Sequence, residues 1–341
     1  MRKMLNTLYV TTPDSYLTKE GENIIIKIDG EEKFRIPAHN LENILCFGYS
    51  GASPALMAHC ASKGIGLAFF SPHGKFLARV NGPVSGNVLL RKEQYRQADD
   101  QEACTRLAKN FILGKLANSR TVLRRGMREY DNLSQQVESS ANYLRDRISH
   151  VQAVGDLDTL RGIEGESARA YFDVFDELIR QQKDNFFFAG RTRRPPLDRM
   201  NSLLSFFYTM LHHDMQSALE SVGLDPAVGF LHRDRPGRAS LALDMMEELR
   251  PVLADRLALS LVNRKQIGAN DFYQKENGAI LLQPDTKKIL LTAWQKKKQE
   301  EVMHPFLEEK IPIGLIPYTQ ALLMARTLRG DLDEYPPFFW R

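Results

Sequence analysis

With 341 residues the chain exceeds the usual size of a single domain, so two domains are expected, each large enough to bury a core. Its 43% hydrophobic and 26% charged residues describe a globular protein and exclude a mostly disordered one, while a net charge of +4 is too small to prove a polyanionic partner. Three cysteines without a Cys-x-x-Cys pair argue against a disulfide framework or a thiolate zinc site, and no stretch approaches the roughly 18 to 20 apolar residues of a membrane span, so a soluble cytoplasmic protein is expected.

Up to about Tyr95 the signals are those of short strands. Leu8–Val10, the β-branched run Asn23–Ile28, Lys33–Ile36, Ile44–Phe47, Gly66–Phe70 and Phe76–Val80 have the composition and length of strands. Asp29-Gly30 predicts a hairpin turn, Pro72–Lys75 a second turn, and Pro54–Lys63 a short helix. Residues 1–95 thus read as a β-rich domain. The acidic, polar stretch 96–102 suits a linker or a helix N-terminus.

Beyond it, helical spacing dominates over residues 104–127, 133–151, 164–182, 198–222, 240–262 and 319–328. One interruption, Gly278–Leu282 before Gln283-Pro284-Asp285, predicts a β-hairpin inside the helical domain, 103–341. The expected fold class is α+β: a small N-terminal β-sandwich-like domain followed by a larger all-α domain.

Two segments supply carboxylates, one histidine and a fringe of arginines: Gly162–Phe172, and the run from Gly229 through His232 to Pro251. On a helix over Ser240–Leu253, Ala242, Met245, Met246, Leu249 and Leu253 share one face, which puts Asp244 and Glu247 on the other. Taken alone, that second face reads as a solvated acidic one. Glu164 is harder to explain so simply, because 100° steps set it at the margin of an apolar stripe through Ile163, Ser167, Val174 and Leu178. A carboxylate there needs a partner or a cation. His232 sits on an irregular loop stiffened by Pro236, while the other histidines mostly read as surface residues.

Two carboxylates and an imidazole suit Mg²⁺ or Mn²⁺, which accept hard oxygen ligands and leave positions open for water and phosphate; zinc would want more nitrogen or sulfur. Arginines cluster at Arg124, Arg125 and Arg128, at Arg191, Arg193 and Arg194, and at Arg233, Arg235 and Arg238, and Lys296–Lys298 are consecutive. Each cluster alone is a solvated face; in this company they point to a phosphodiester. No Walker loop or Gly-x-Gly-x-x-Gly fingerprint occurs.

The motifs Glu-Gly-x-x-Ala-Arg-x-Tyr-Phe at 164–172, Gly-Phe-Leu-His at 229–232 and Ser-Leu-Ala-Leu-Asp-x-Met-Glu-Glu-x-Arg-Pro at 240–251 resemble those of CRISPR-associated protein one, the spacer-acquisition integrase family. Their order and separation, with the β-rich front and helical back, extend the resemblance over nearly the whole chain. The tail, with Pro312–Pro317 and Tyr335–Phe338, resembles the subtype I-C branch.

The resemblance implies that Glu164, His232 and Glu247 ligate the metal and that Asp244 is an acidic neighbour needed for activity. Glu247 stands where some branches have aspartate, and Glu166 where asparagine is often expected. It further implies a prokaryotic homodimer that works with CRISPR-associated protein two on double-stranded DNA with free 3′ ends and on CRISPR repeat DNA, the N-terminal domain making the dimer. The expected reaction is transesterification: a fragment's 3′-hydroxyl attacks a phosphodiester at the repeat boundary. Arg233, Arg235, Arg238, Arg193 and Arg194 are the expected phosphate contacts. Two readings stand beside it, a general metal-dependent DNA nuclease of repair or recombination and a non-catalytic DNA-binding scaffold.

Overall fold

Runs of β-branched and aromatic residues punctuated by turns build the first part of the chain. The computed structural model describes residues 7–41, 43–48, 50–71, 76–80, 82 and 88–340. Its strands there are β1 (Thr7–Val10), β2 (Tyr16–Glu20), β3 (Asn23–Ile28), β4 (Glu31–Pro37), β5 (Asn43–Phe47), β6 (Gly51–Ala52), β7 (Gly66–Phe70) and β8 (Phe76–Val80), with helix α1 (Pro54–Lys63) between β6 and β7. One sheet runs β1-β5-β7-β8 and the other β4-β3-β2-β6. The expected Asp29-Gly30 hairpin joins β3 to β4: both residues have positive φ, 54° and 80°, as a type I′ turn requires. The turn expected at Pro72–Lys75 lies outside the described residues.

Both sheets feed one core. Val10, Ile44, Cys46 and Leu67 come from the first, Leu17, Ile24, Ile26 and Ala52 from the second, and Leu56 and Cys60 from α1. All three cysteines are buried free thiols, and burial raises the Cys46 thiol to about 12.

The helical part comprises α2 (Val88–Asp99), α3 (Gln101–Glu129), α4 (Gln135–Ala153), α5 (Leu157–Asp173), α6 (Arg199–Ser221), α7 (Ser240–Met246), α8 (Arg256–Asn263), α9 (Pro284–Gln299) and α10 (Ile316–Leu328). Between α8 and α10 lie the strands β9 (Phe272–Gln274), β10 (Ile280–Leu282), β11 (Glu301–Met303) and β12 (Lys310–Pro312), paired β9 with β10 and β11 with β12. The β10 pairing supplies the expected hairpin.

Three expectations need correction. Residues 96–102 form no linker but hold a helix N-terminus, the alternative their acidic, polar composition suits: α2 runs to Asp99, and Asp100 caps α3 by accepting from Glu102 N at 2.8 Å. The helix expected from Glu164 starts at Leu157, because Asp156 accepts from Thr159 N at 2.8 Å as its N-cap, and it ends at Asp173 in a short 3₁₀ turn. The helix expected over 240–262 is broken after Met246. Pro251 has no N–H to offer the Glu247 carbonyl and its ring would strike it, so Arg250–Asp255 widen into a π-helical turn before α8.

The chain divides into two compact units, one made of the described residues of Met1–Gly86 with Leu282–Gln299 and the other of those of Asn87–Leu281 with Glu300–Arg341. Helix α9 therefore belongs with the sheets, where Tyr9 Oη meets Gln295 Oε1 at 3.5 Å. Among the described residues no helix is long and apolar enough to cross a membrane.

Candidate active site

Helix α5 buries Leu160, Ile163, Ser167 and Tyr171. That stripe leaves Glu164 at its edge, its side chain 28% exposed. Helix α3 buries Ala108, Phe111, Ile112 and Ser119, and the same spacing brings Lys115 in with them, only 12% exposed. Lys115 Nζ donates to Glu164 Oε1 and lies 2.8 Å from Glu247 Oε2. Burial works against the ammonium, but Glu247 and Glu164 outweigh it and raise its pKa.

Glu247 follows the last residue of α7. Its other oxygen, Oε1, accepts from Arg250 Nη1 at 2.5 Å. Burial pushes this carboxyl up, yet Arg250 and Lys115, with a smaller contribution from His232, hold it below the usual carboxylate range. It is a buried anion stabilised by two cations. Arg250 in turn lies over the Tyr208 ring at 5.1 Å.

Asp244, completely buried, organises the loop before α7. Its Oδ2 accepts from Phe230 N at 2.7 Å and Leu231 N at 2.9 Å, and its Oδ1 accepts from His232 N at 2.9 Å and faces His232 Nδ1 at 2.6 Å. Donation of the Nδ1 proton to this carboxylate leaves Nε2 with the lone pair, as a metal-binding or proton-accepting imidazole requires. Gly229 is obligatory at this approach: a Cβ would stand 2.7 Å from Asp244 Oδ2 and 2.8 Å from the Ser240 carbonyl carbon. Arg161 of α5 fixes the loop from outside, donating to Leu231 O at 2.8 Å.

Glu248 turns the opposite way from its neighbour. Fully buried, it accepts from Tyr335 Oη at 2.6 Å, Gln320 Nε2 at 3.0 Å and Phe338 N at 2.8 Å, and burial raises its pKa to about 7. Asn118 of α3 donates to both Glu248 O and Phe338 O at 2.7 Å. The C-terminal segment thus grips the backbone beside Glu247.

The expected acidic face of Asp244 and Glu247 is therefore not solvated: the two are 0% and 2% exposed. Glu164 and Glu247 meet at Lys115, and His232 is held by Asp244. Among the described residues no three His, Cys, Asp or Glu side chains gather at metal-binding distance of one another. In kind and charge the donors still fit a hard divalent ion, since two carboxylates already share one cation.

Arg193, Arg194, Arg233 and Arg235 are exposed and Arg238 is half-buried; Arg233 Nη2 lies 3.3 Å from Asp158 Oδ1. A cleft of about 1140 Å³ beside α5 is lined by Arg106, Lys109, Arg161 and Arg233 together with Asp158 and Glu334. Arg191 is a structural residue, donating to Asn201 Oδ1 at 2.6 Å. The surface reading of the histidines fails for His59, His213 and His304, all buried; His304 meets Gln320 Oε1 at 3.0 Å. Lys115, Arg250 and Glu248 escaped sequence reasoning. Of these, only Lys115 left a signal, a cation in an apolar helical stripe.

A family model described as CRISPR associated protein Cas1 matches residues 8–296. The CRISPR-associated endonuclease Cas1 2 of Rhodospirillum rubrum is 54% identical over 347 residues, covering 100% of both chains. A solved Cas1 structure from Thermotoga maritima has a TM-score of 0.82 and 22% identity over 95% of this chain and 97% of that one. A chain of a Cas6-RT-Cas1–Cas2 complex has a TM-score of 0.82 and 22% identity over 100% of this chain and 36% of that one. At such identity the solved structures speak for the fold alone.

Proposed function

The chain belongs to the Cas1 family of CRISPR-associated proteins, and from that premise we propose that it is a metal-dependent DNA endonuclease and integrase that joins the 3′-hydroxyls of short DNA fragments to the CRISPR repeat. The observation that carries this reading is the pair of carboxylates, Glu164 and Glu247, held on different elements around one buried cation, with His232, oriented by Asp244, within electrostatic reach of Glu247. Glu164, Glu247 and His232 Nε2 would hold Mg²⁺ or Mn²⁺. When bound, that ion supplies Lewis-acid stabilisation of charge developing on the phosphate and the leaving oxygen.

The chain's own residues do the rest. Asp244 keeps His232 in the tautomer whose Nε2 binds the ion or takes the proton of the attacking hydroxyl. Arg250 keeps Glu247 ionised and fixes one of its oxygens. Arg233, Arg235, Arg238, Arg193 and Arg194 contact phosphates, which orients the duplex without reading its sequence. The partners are double-stranded DNA and the small Cas2 protein. The N-terminal unit makes a homodimer, a role supported by edge strand β4, whose first five residues are exposed and whose Phe34 is 58% exposed.

The test mixes wild type or Glu164→Ala protein with Cas2, a labelled duplex bearing free 3′-hydroxyls, a repeat-bearing target and Mn²⁺ or Mg²⁺. Joined product from wild type alone is expected, with an unchanged circular dichroism spectrum for the variant. Cleavage without joining would replace the integrase with a nuclease. DNA binding that falls with salt but ignores metal would leave only a scaffold.

A further inference from the structure

We infer that Lys115 is a resident counter-cation that holds Glu164 and Glu247 together and that a divalent ion must displace to enter the site. The inference rests on the reading of those two carboxylates as metal ligands.

The two oxygens of Glu247 are held in different ways. Oε1 takes the planar guanidinium of Arg250 at 2.5 Å, within one turn of the same segment. Oε2 pairs with Lys115 Nζ at 2.8 Å. The Arg250 contact is directional and fixed, whereas the Lys115 contact is a point-charge attraction at the end of a flexible four-carbon stem. The oxygen shared with Glu164 through Lys115 is thus the one whose partner a divalent ion would replace.

Charge gives the same answer. Glu164, Glu247, Lys115 and Arg250 sum to zero, which lets the two carboxylates lie close together with little water. If a dication joined the group with Lys115 still in place, the cluster would carry two excess positive charges at contact range. Exchange of the ammonium for the dication removes one of them. Lys115 therefore keeps the carboxylates paired without metal and competes with metal for the same oxygens.

The test is Mn²⁺ binding by isothermal titration calorimetry to full-length Lys115→Met and wild type, with melting temperatures measured with and without Mn²⁺. Loss of the competitor should tighten Mn²⁺ binding at least tenfold, about 1.4 kcal/mol, and Mn²⁺ should raise the variant's melting temperature by more than it raises that of wild type. A merely structural lysine predicts the opposite, and unchanged or weaker binding would overturn the inference. Lys115→Arg keeps the charge and should bind no tighter than wild type; tighter binding there would also overturn it. If Lys115→Met does not fold, Lys115→Gln, which donates hydrogen bonds without charge, takes its place with the same expected result. Glu164→Gln and Glu247→Gln run alongside: undiminished binding in both removes the ligand reading itself, whereas weakened binding in them with no gain in Lys115→Met sinks only the role of Lys115.

Discussion

Replacement of Asp244 by alanine should cost the protein both stability and its oriented histidine. The carboxylate accepts from Phe230 N and Leu231 N, both bonds buried, and from His232 N and Nδ1, which are partly accessible. A buried donor stripped of its acceptor costs about 1–3 kcal/mol, so the two buried amides alone set a loss of about 2–6 kcal/mol; water can reach the His232 groups and offset their share. Against a typical folded-state stability of about 5–15 kcal/mol, this is a severe change for a single side chain. Asp244→Asn retains one acceptor oxygen but turns an NH₂ group toward amide donors, so it should cost about half as much. Urea unfolding followed by circular dichroism measures the loss, and limited proteolysis reports opening of residues 229–239. An Asp244→Ala protein within about 1 kcal/mol of wild type, with that loop still protected, would refute the claim that this carboxylate organises the loop.

Gly114→Ala should disturb the site from behind, because its Cβ would stand 2.7 Å from Glu248 Cβ and 3.2 Å from Pro337 Cβ; a loss of about 1–3 kcal/mol is expected in urea unfolding, together with faster proteolysis of the C-terminal segment. Fully buried Asp255 should give stability a pH dependence: burial raises its pKa from 3.8 to about 6 although Tyr208 and Tyr171 donate to it. The folded state binds the proton more tightly, so the stabilisation is complete below about pH 4 and is lost as pH rises through about 6, a change of about 3 kcal/mol; thermal melts from pH 4 to 7 should show this decline, flattened in Asp255→Asn.

The parts of this molecule legible from local pattern are those whose partners lie nearby in sequence. The run Asn23–Ile28 with Asp29-Gly30 announced a hairpin because strand propensity and turn chemistry act over a few residues, and Glu164 stood out because α5 periodicity set a carboxylate at an apolar margin. Asp244 and Glu247 misled for the converse reason. A helix with one apolar face implies a solvated second face only where nothing covers it, and here the 229–232 loop covers Asp244 while Lys115 of α3 covers Glu247. The break at Pro251 was visible as a residue, yet the apolar period runs on across it, since a π turn keeps the chain helical while shifting the faces beyond.

Glu248 lies deeper still, because its partners Tyr335 and Phe338 are 87 and 90 residues away and no periodicity carries information over that span. What a sequence does expose of such a site is the charge in the wrong place. Lys115 in the buried stripe of α3 and Glu164 at the edge of α5 each violate the pattern of their own helix, and the two meet, with Glu247 as a second partner of Lys115. Buried ions of opposite sign on separate helices imply a common meeting point. Pairing such local exceptions across the chain is therefore a physical route to a site that neither helix reveals alone.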